Sequence, residues 1–133
     1  MKRKFERTVE RLAAVFELAE EFCALREIDA KTQWLVEFTL EELFTNVVRH
    51  NPKGAGEVLI ELDREGDRVI MAVTDFDADR FDPTEAKTPD IDAPLAERRP
   101  GGLGIHLVKT MTDEVRYEFR DRKSKTIVTK KLG

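Results

Sequence analysis

The sequence predicts an α+β fold, a two-layer sandwich of helices on one mostly antiparallel mixed sheet. Two helical periodicities fill roughly the first fifty residues, and period-two alternation marks residues 58–73 and 115–132. Helices therefore gather towards one end and strands towards the other, which favours a helix layer on a sheet over alternating βαβ units. The 133 residues are expected to form one domain over 1–133, long enough to bury a core without disulfides or structural metal.

The first helix is expected over 6–27, on a stripe of Val9, Leu12, Phe16, Ala19 and Cys23. Asp29 is placed to cap a second helix running to His50, with Val36, Leu40, Leu43 and Val47 as its apolar face. Asn51-Pro52-Lys53-Gly54-Ala55-Gly56 stops that helix. Val58, Ile60 and Leu62 then alternate with Glu57, Glu61 and Asp63, and a turn at 64–67 leads into Val69, Met71 and Val73, so the pair reads as a hairpin. A short helix is expected over 103–111, further strands at 115–119 and 125–132, and a short strand at 2–5. Between them, residues 76–100 carry four of the five prolines and no clear period. A segment of that length inside a compact domain reads as a lid or binding loop.

Composition narrows the functional classes. Charged residues make up 38% and the formal net charge is −4, which argues against a nucleic-acid-binding surface. Cys23 is the only cysteine, so neither an internal disulfide nor a zinc site built from cysteines is available, and its place on the helical stripe assigns it to the core. There is no apolar run of about eighteen residues and no signal-like start, so a cytoplasmic location is the default expectation. Trp34 is read as a packing residue.

The most informative stretch is Glu42-Leu43-Phe44-Thr45-Asn46 with Val47-Val48-Arg49-His50. Glu42 and Asn46 are one helical turn apart and leave the same face, flanking the apolar stripe without belonging to it. Asn is a mediocre helix former, so its place there calls for another reason. Further on, Asp75 ends a strand, and Gly101, Gly102 and Gly104 open a helix. Glycines at a helix start let backbone approach a ligand closely, and the exposed N–H groups there favour phosphate oxygens. Arg98 and Arg99 close the preceding loop, and either is long enough to reach a terminal phosphate.

Taken in order, Glu42-x-x-x-Asn46-x-x-x-His50, Asp75 with Phe81-Asp82-Pro83 soon after, and Gly101-Gly102-Leu103-Gly104-Ile105-His106 leading to Thr112-Asp113-Glu114-Val115-x-Tyr117 resemble the asparagine box and two glycine boxes of the GHKL, or Bergerat-fold, ATPases. In a chain of this length the pattern is similar to the bacterial anti-sigma factor serine-protein kinases, from about Leu12 to Leu132. The resemblance implies ATP with Mg²⁺. It makes Glu42 the catalytic carboxylate, with Glu41 as the competing one, and Asn46 the metal ligand. It places Asn46, Arg49, His50, Asp75, Asp77, Arg99, Gly101, Gly102, Leu103, Gly104 and Thr126 around the nucleotide, with Asp75 selecting adenine. His106 is read as structural, and neither histidine as a phosphate acceptor.

The resemblance further implies a small STAS-type anti-anti-sigma protein as phosphorylation substrate, a sigma factor as sequestered partner, and a homodimer. A related kinase that regulates some other target fits the same residues. Two departures stand out. Asp75-Phe76-Asp77 has Asp where these relatives carry Gly, and Lys123-Ser124-Lys125-Thr126 replaces a Gly-Thr or Asn near the last hairpin. If Asp77 sits beside the purine, nucleotide binding weakens, and the alternative is a non-catalytic protein-binding switch on the same fold.

Overall fold

The computed structural model describes residues 1–54, 56–80 and 102–133. Among the described residues, nine elements follow one another. They are strand β1 (Lys2–Phe5), a 3₁₀ turn (Val9–Arg11), helices α1 (Leu12–Leu25) and α2 (Ala30–His50), strands β2 (Val58–Glu65) and β3 (Arg68–Asp75), helix α3 (Gly102–Met111), and strands β4 (Glu114–Arg120) and β5 (Lys123–Lys131). The five strands form one sheet in the order β1-β2-β3-β5-β4. All four pairings are antiparallel, so no parallel pair occurs among the described residues, where a mixed sheet was expected.

Pattern and packing agree closely in the strands. Val58, Ile60 and Leu62 of β2, Val69, Met71 and Val73 of β3, and Val128 of β5 are buried together under the helices. This is what a period of two with one covered face requires. Gly66 takes a left-handed φ of 62° in the two-residue link between β2 and β3. Asp121 and Arg122 have φ of 50° and 62° at the β4–β5 turn, a pair of positive values whose twist suits a tight hairpin.

Helix α2 begins where expected. Asp29 accepts from the Thr32 amide at 2.8 Å and from its hydroxyl at 2.9 Å, so one orphan donor of the first turn is satisfied. Its buried face holds Leu35, Val36, Leu40, Leu43 and Phe44, and Phe44 meets Phe5 of β1 edge to face at 6.2 Å. Val47 is half-buried at the edge of that face.

Helix α1 departs from the reading of 6–27. Thr8 is extended (φ −152°, ψ 143°) and caps the 3₁₀ turn, so regular helix starts only at Leu12. At the other end Glu27 turns left-handed with φ of 55°. The buried stripe is also rotated from the one expected. Val15, Leu18, Ala19, Phe22 and Cys23 face the core, whereas Val9 is 54% exposed. The observed set repeats at i, i+3, i+4, i+7 and i+8, a better helical face than the one assumed. Burial, with Glu37 and Asp29 nearby, pushes the Cys23 thiol up to about 11. Trp34 is 54% exposed and stacks on Phe38 at 5.4 Å rather than entering the core. Among the described residues no helix is long and apolar enough to cross a membrane.

Candidate functional site

Where the C-terminal half of α2 lies over the ends of β3 and β5, a cavity of about 220 Å³ opens. Leu43 and Val47 of α2, Val73 of β3 and Ala78 supply its apolar wall. Asn46, His50 and Asn51 line it from the helix side, and Asp75, Ser124 and Thr126 from the sheet. Asp79 and Arg80 complete the rim. Apolar walls with a few converging polar groups are the usual make-up of a small-molecule pocket.

Of the residues singled out in the sequence, the fold brings Asn46, His50, Asp75 and Thr126 together in this cavity. Asn46 is only 8% exposed although it is polar and mid-helix. Its side chain lines the cavity wall from the helix side. Thr126 is buried on β5, opposite Val73 of β3 on one side and Tyr117 of β4 on the other. Tyr117 also accepts a hydrogen bond from the Ser124 hydroxyl at 2.9 Å. At the cavity edge, burial and the neighbouring Arg49 push the His50 imidazole below its ordinary value.

Glu42 stands one turn before Asn46 and is half-buried. Burial, and then repulsion from Glu41, raise its carboxyl above the ordinary glutamate value, while Arg49 pulls in the other direction. Its carboxylate occupies the space that a side chain at position 104 would need, so Gly104 of α3 is what lets it lie against that helix. A glycine expected to approach a phosphate thus also makes room for the candidate catalytic group. Arg49 is exposed beside the cavity, and Leu103 is 48% exposed on α3. Gly102 begins α3. Arg98, Arg99 and Gly101 lie outside the described residues, and so does most of the 76–100 segment expected as a lid.

Asp75 is the most constrained group in the site. Its Oδ1 meets the Arg7 guanidinium at 2.6 Å, with both side chains 5% exposed. Its Oδ2 accepts from the Asn51 amide at 3.0 Å. Arg7 also donates to the carbonyls of Gly54 and Phe76 at 3.1 and 3.3 Å. Neither Arg7 nor Asn51 was singled out from the sequence. Arg7 lies far from Asp75 along the chain, and no local motif marks it.

Asp77 lies next to the cavity-lining Ala78 and Asp79. It takes the left-handed φ of 60° that glycine would adopt, a conformation Asp tolerates better than most residues. Its side chain is not part of the cavity wall but pairs with Arg122 at 3.0 Å. Arg122 reaches Asp79 as well, at 3.1 Å, and its carbonyl accepts from the Ala78 amide at 2.8 Å. Hydrogen bonds to the two carboxylates raise the Arg122 guanidinium above its ordinary value. The loop after β3 is thereby fastened to the β4–β5 turn, which sets Ala78 and Asp79 at the cavity rim.

No group of three or more His, Cys, Asp or Glu among the described residues is placed to hold a metal ion. The donor set instead offers the amide oxygen of Asn46. This fits Mg²⁺, which keeps several waters and takes most of its remaining oxygens from substrate phosphates.

A helix layer on an antiparallel sheet, with a pocket between them that pairs a mid-helix Asn with a strand-end Asp, defines an ATP-binding domain of the kind found in histidine kinases. The family model described as "Histidine kinase-like ATPase domain" matches residues 5–130, and the chain belongs to that family. It is similar to the serine/threonine-protein kinase BtrW of Bordetella bronchiseptica, at 27% identity over 104 residues, covering 76% of this chain and 72% of the relative. Its fold is similar to that of the histidine kinase AdeS of Acinetobacter baumannii, with a TM-score of 0.52 at 16% identity over 99% of this chain and 68% of the other.

The Asp77–Arg122 pair is exposed, so salt screens it and its worth is modest. Arg122→Ala is expected to lower the melting temperature, and adding Asp77→Gly to recover it, because glycine takes the positive φ without steric cost. Asp77→Gly alone is expected to change ATP affinity by less than about twofold, the range of a surface substitution. A tightening of about tenfold in a binding titration would instead place the Asp77 carboxylate beside the nucleotide.

Proposed function

We propose that this protein is an ATP-dependent protein-serine kinase of the anti-sigma type. In this reading it phosphorylates a serine on a small STAS-type anti-anti-sigma partner, holds a sigma factor once that partner is phosphorylated, and works as a homodimer with Mg²⁺. The observation that carries the chemical part is the pairing of half-buried Glu42 with buried Asn46, one turn apart on α2. Asn46 lines a cavity whose far wall presents Asp75. The similarity to a relative named a serine/threonine-protein kinase supports a hydroxyl as the attacking group. The partners rest on the motif resemblance alone.

Each residue then has a defined task. Asp75 accepts a hydrogen bond from the exocyclic amine of adenine, with Thr126 alongside it at the base. Leu43, Val47, Val73 and Ala78 cover the apolar faces of the base. Asn46 would hold Mg²⁺, which neutralises phosphate charge and fixes the phosphates when bound. Glu42 takes the serine proton as the new O–P bond forms and the bond to the β-phosphate breaks, releasing ADP. Phosphoryl transfer depends mainly on positioning and charge, so one carboxylate beside the attacking oxygen is sufficient proton machinery.

The non-catalytic switch drew its force from Asp77 lying beside the nucleotide. The pairing of Asp77 with Arg122 supports the catalytic reading over that switch.

Glu42→Gln is expected to slow transfer by about 10²–10⁴-fold while leaving ATP affinity nearly intact. The measurement follows label from γ-labelled ATP to a serine of a STAS-domain protein, and undiminished transfer by the variant would remove Glu42 from the chemistry. The reaction also has a predicted pH signature. Ionised Glu42 is the active form and its pKa is raised, so the rate should climb with pH through a midpoint above that of an ordinary glutamate. Glu41→Gln removes the neighbouring negative charge, eases ionisation of Glu42, and should move that limb to lower pH. An unmoved limb, or one displaced upward, would show that another group sets it.

A further inference from the structure

Burying an arginine and an aspartate together is rarely a gain in stability, since removing both charges from water offsets most of their attraction. Yet the Arg7–Asp75 pair is 5% exposed on each side and has a contact of 2.6 Å. It also lies at the one carboxylate proposed to read the base. Arg7 comes from the short extended segment between β1 and the 3₁₀ turn, where Thr8 holds the backbone out of helix. Its guanidinium reaches three places at once. It pairs with Asp75, donates to the Gly54 carbonyl in the α2–β2 link, and donates to the Phe76 carbonyl after β3.

We infer that Arg7 is a positioning residue for nucleobase selection, holding Asp75 so that its remaining acceptor sites face an amine donor in the cavity. The inference rests on the reading of Asp75 as the adenine contact. A carboxylate has about four lone-pair sites; Asn51 donates to one on Oδ2, while Arg7 meets Oδ1 as a buried ion pair and not as an aligned hydrogen bond, so acceptor sites remain. With donors on both sides, Asp75 faces the cavity as an acceptor. Adenine presents an N6 amine there, whereas guanine presents an O6 acceptor that a carboxylate repels. Fixing the carboxylate also fixes its direction, and a planar fork that donates to two carbonyls while pairing with the carboxylate is suited to that as a lysine point charge is not.

The consequence is that Arg7 contributes to base discrimination without touching the nucleotide. Phosphate binding depends on other elements, so the two should separate on substitution. The test compares wild type, Arg7→Met and Arg7→Lys by titration with ATP, GTP and inorganic tripolyphosphate, alongside melting curves. Arg7→Met is expected to weaken ATP by about tenfold or more, the worth of a hydrogen bond to a charged group, and to narrow the ATP-to-GTP ratio. Tripolyphosphate affinity should stay at the wild-type level. Arg7→Lys keeps the buried charge, which keeps the test decisive even where Arg7→Met fails to fold, and it should show the same pattern at smaller amplitude.

An unchanged ATP-to-GTP ratio in the folded variants would overturn the inference. So would equal losses for ATP and tripolyphosphate, which would make Arg7 a general scaffold residue. If wild type itself bound no ATP, or did not prefer it to GTP, the reading of Asp75 would fail first, and with it the inference that rests on it.

Discussion

The carboxylate of Asp75 is the point on which the site turns. It ends a central strand, where β3 lies between β2 and β5, and it is nearly sealed from water. A charge in that position requires a partner, and Arg7 provides it from near the N-terminus. Removing one member of such a pair typically costs about 3–5 kcal/mol, because the other is left buried and uncompensated. Replacing both with apolar groups is often neutral, so the pair is better understood through binding than through stability. Asn51 closes the other oxygen and also donates to the Asp77 carbonyl at 3.0 Å. The N-terminal segment, the end of α2 and the exit from β3 are therefore committed to one another wherever the pocket exists.

On that frame, α2 sorts its residues by angle. Leu40, Leu43 and Phe44 are buried in the core, Asn46 lines the cavity, and Glu42 lies against α3. Partial burial is the main cause of the raised Glu42 carboxyl. The absence of a side chain at Gly104 is part of this arrangement, since any Cβ there would collide with the Glu42 carboxylate. The second fastening, from Asp77 to Arg122, works at the rim. It shows how a chain can keep a glycine-like backbone at a non-glycine position by giving the added carboxylate a partner outside the pocket.

Much of this was legible in the sequence because it rests on local periodicity. The alternation in β2 and β3, the Asp29 cap and the spacing of Glu42 and Asn46 each depend on residues within one or two turns of each other. The start and phase of α1 were misjudged because residues 6–8 look helical in composition while Arg7 and Thr8 answer to tertiary and capping demands. Arg7 itself carries no sequence signal, as its partners are brought to it only by the completed sheet. The direction of Asp77 was equally hidden. Its unusual backbone angle could be anticipated, but Arg122 is distant in sequence and is brought beside it only by the pairing of β3 with β5. Trp34, read as a packing residue, packs on the outer face of α2 against Phe38.

The central claim is that the cavity between α2 and the β3–β5 edge holds the base of ATP against Asp75, with phosphates reaching towards Asn46. Calorimetric titration of the wild-type protein with ATP, with and without Mg²⁺, tests it most directly. Saturable binding at one site per chain, strengthened by magnesium, is expected. No binding at millimolar ATP, or binding indifferent to magnesium, would contradict it.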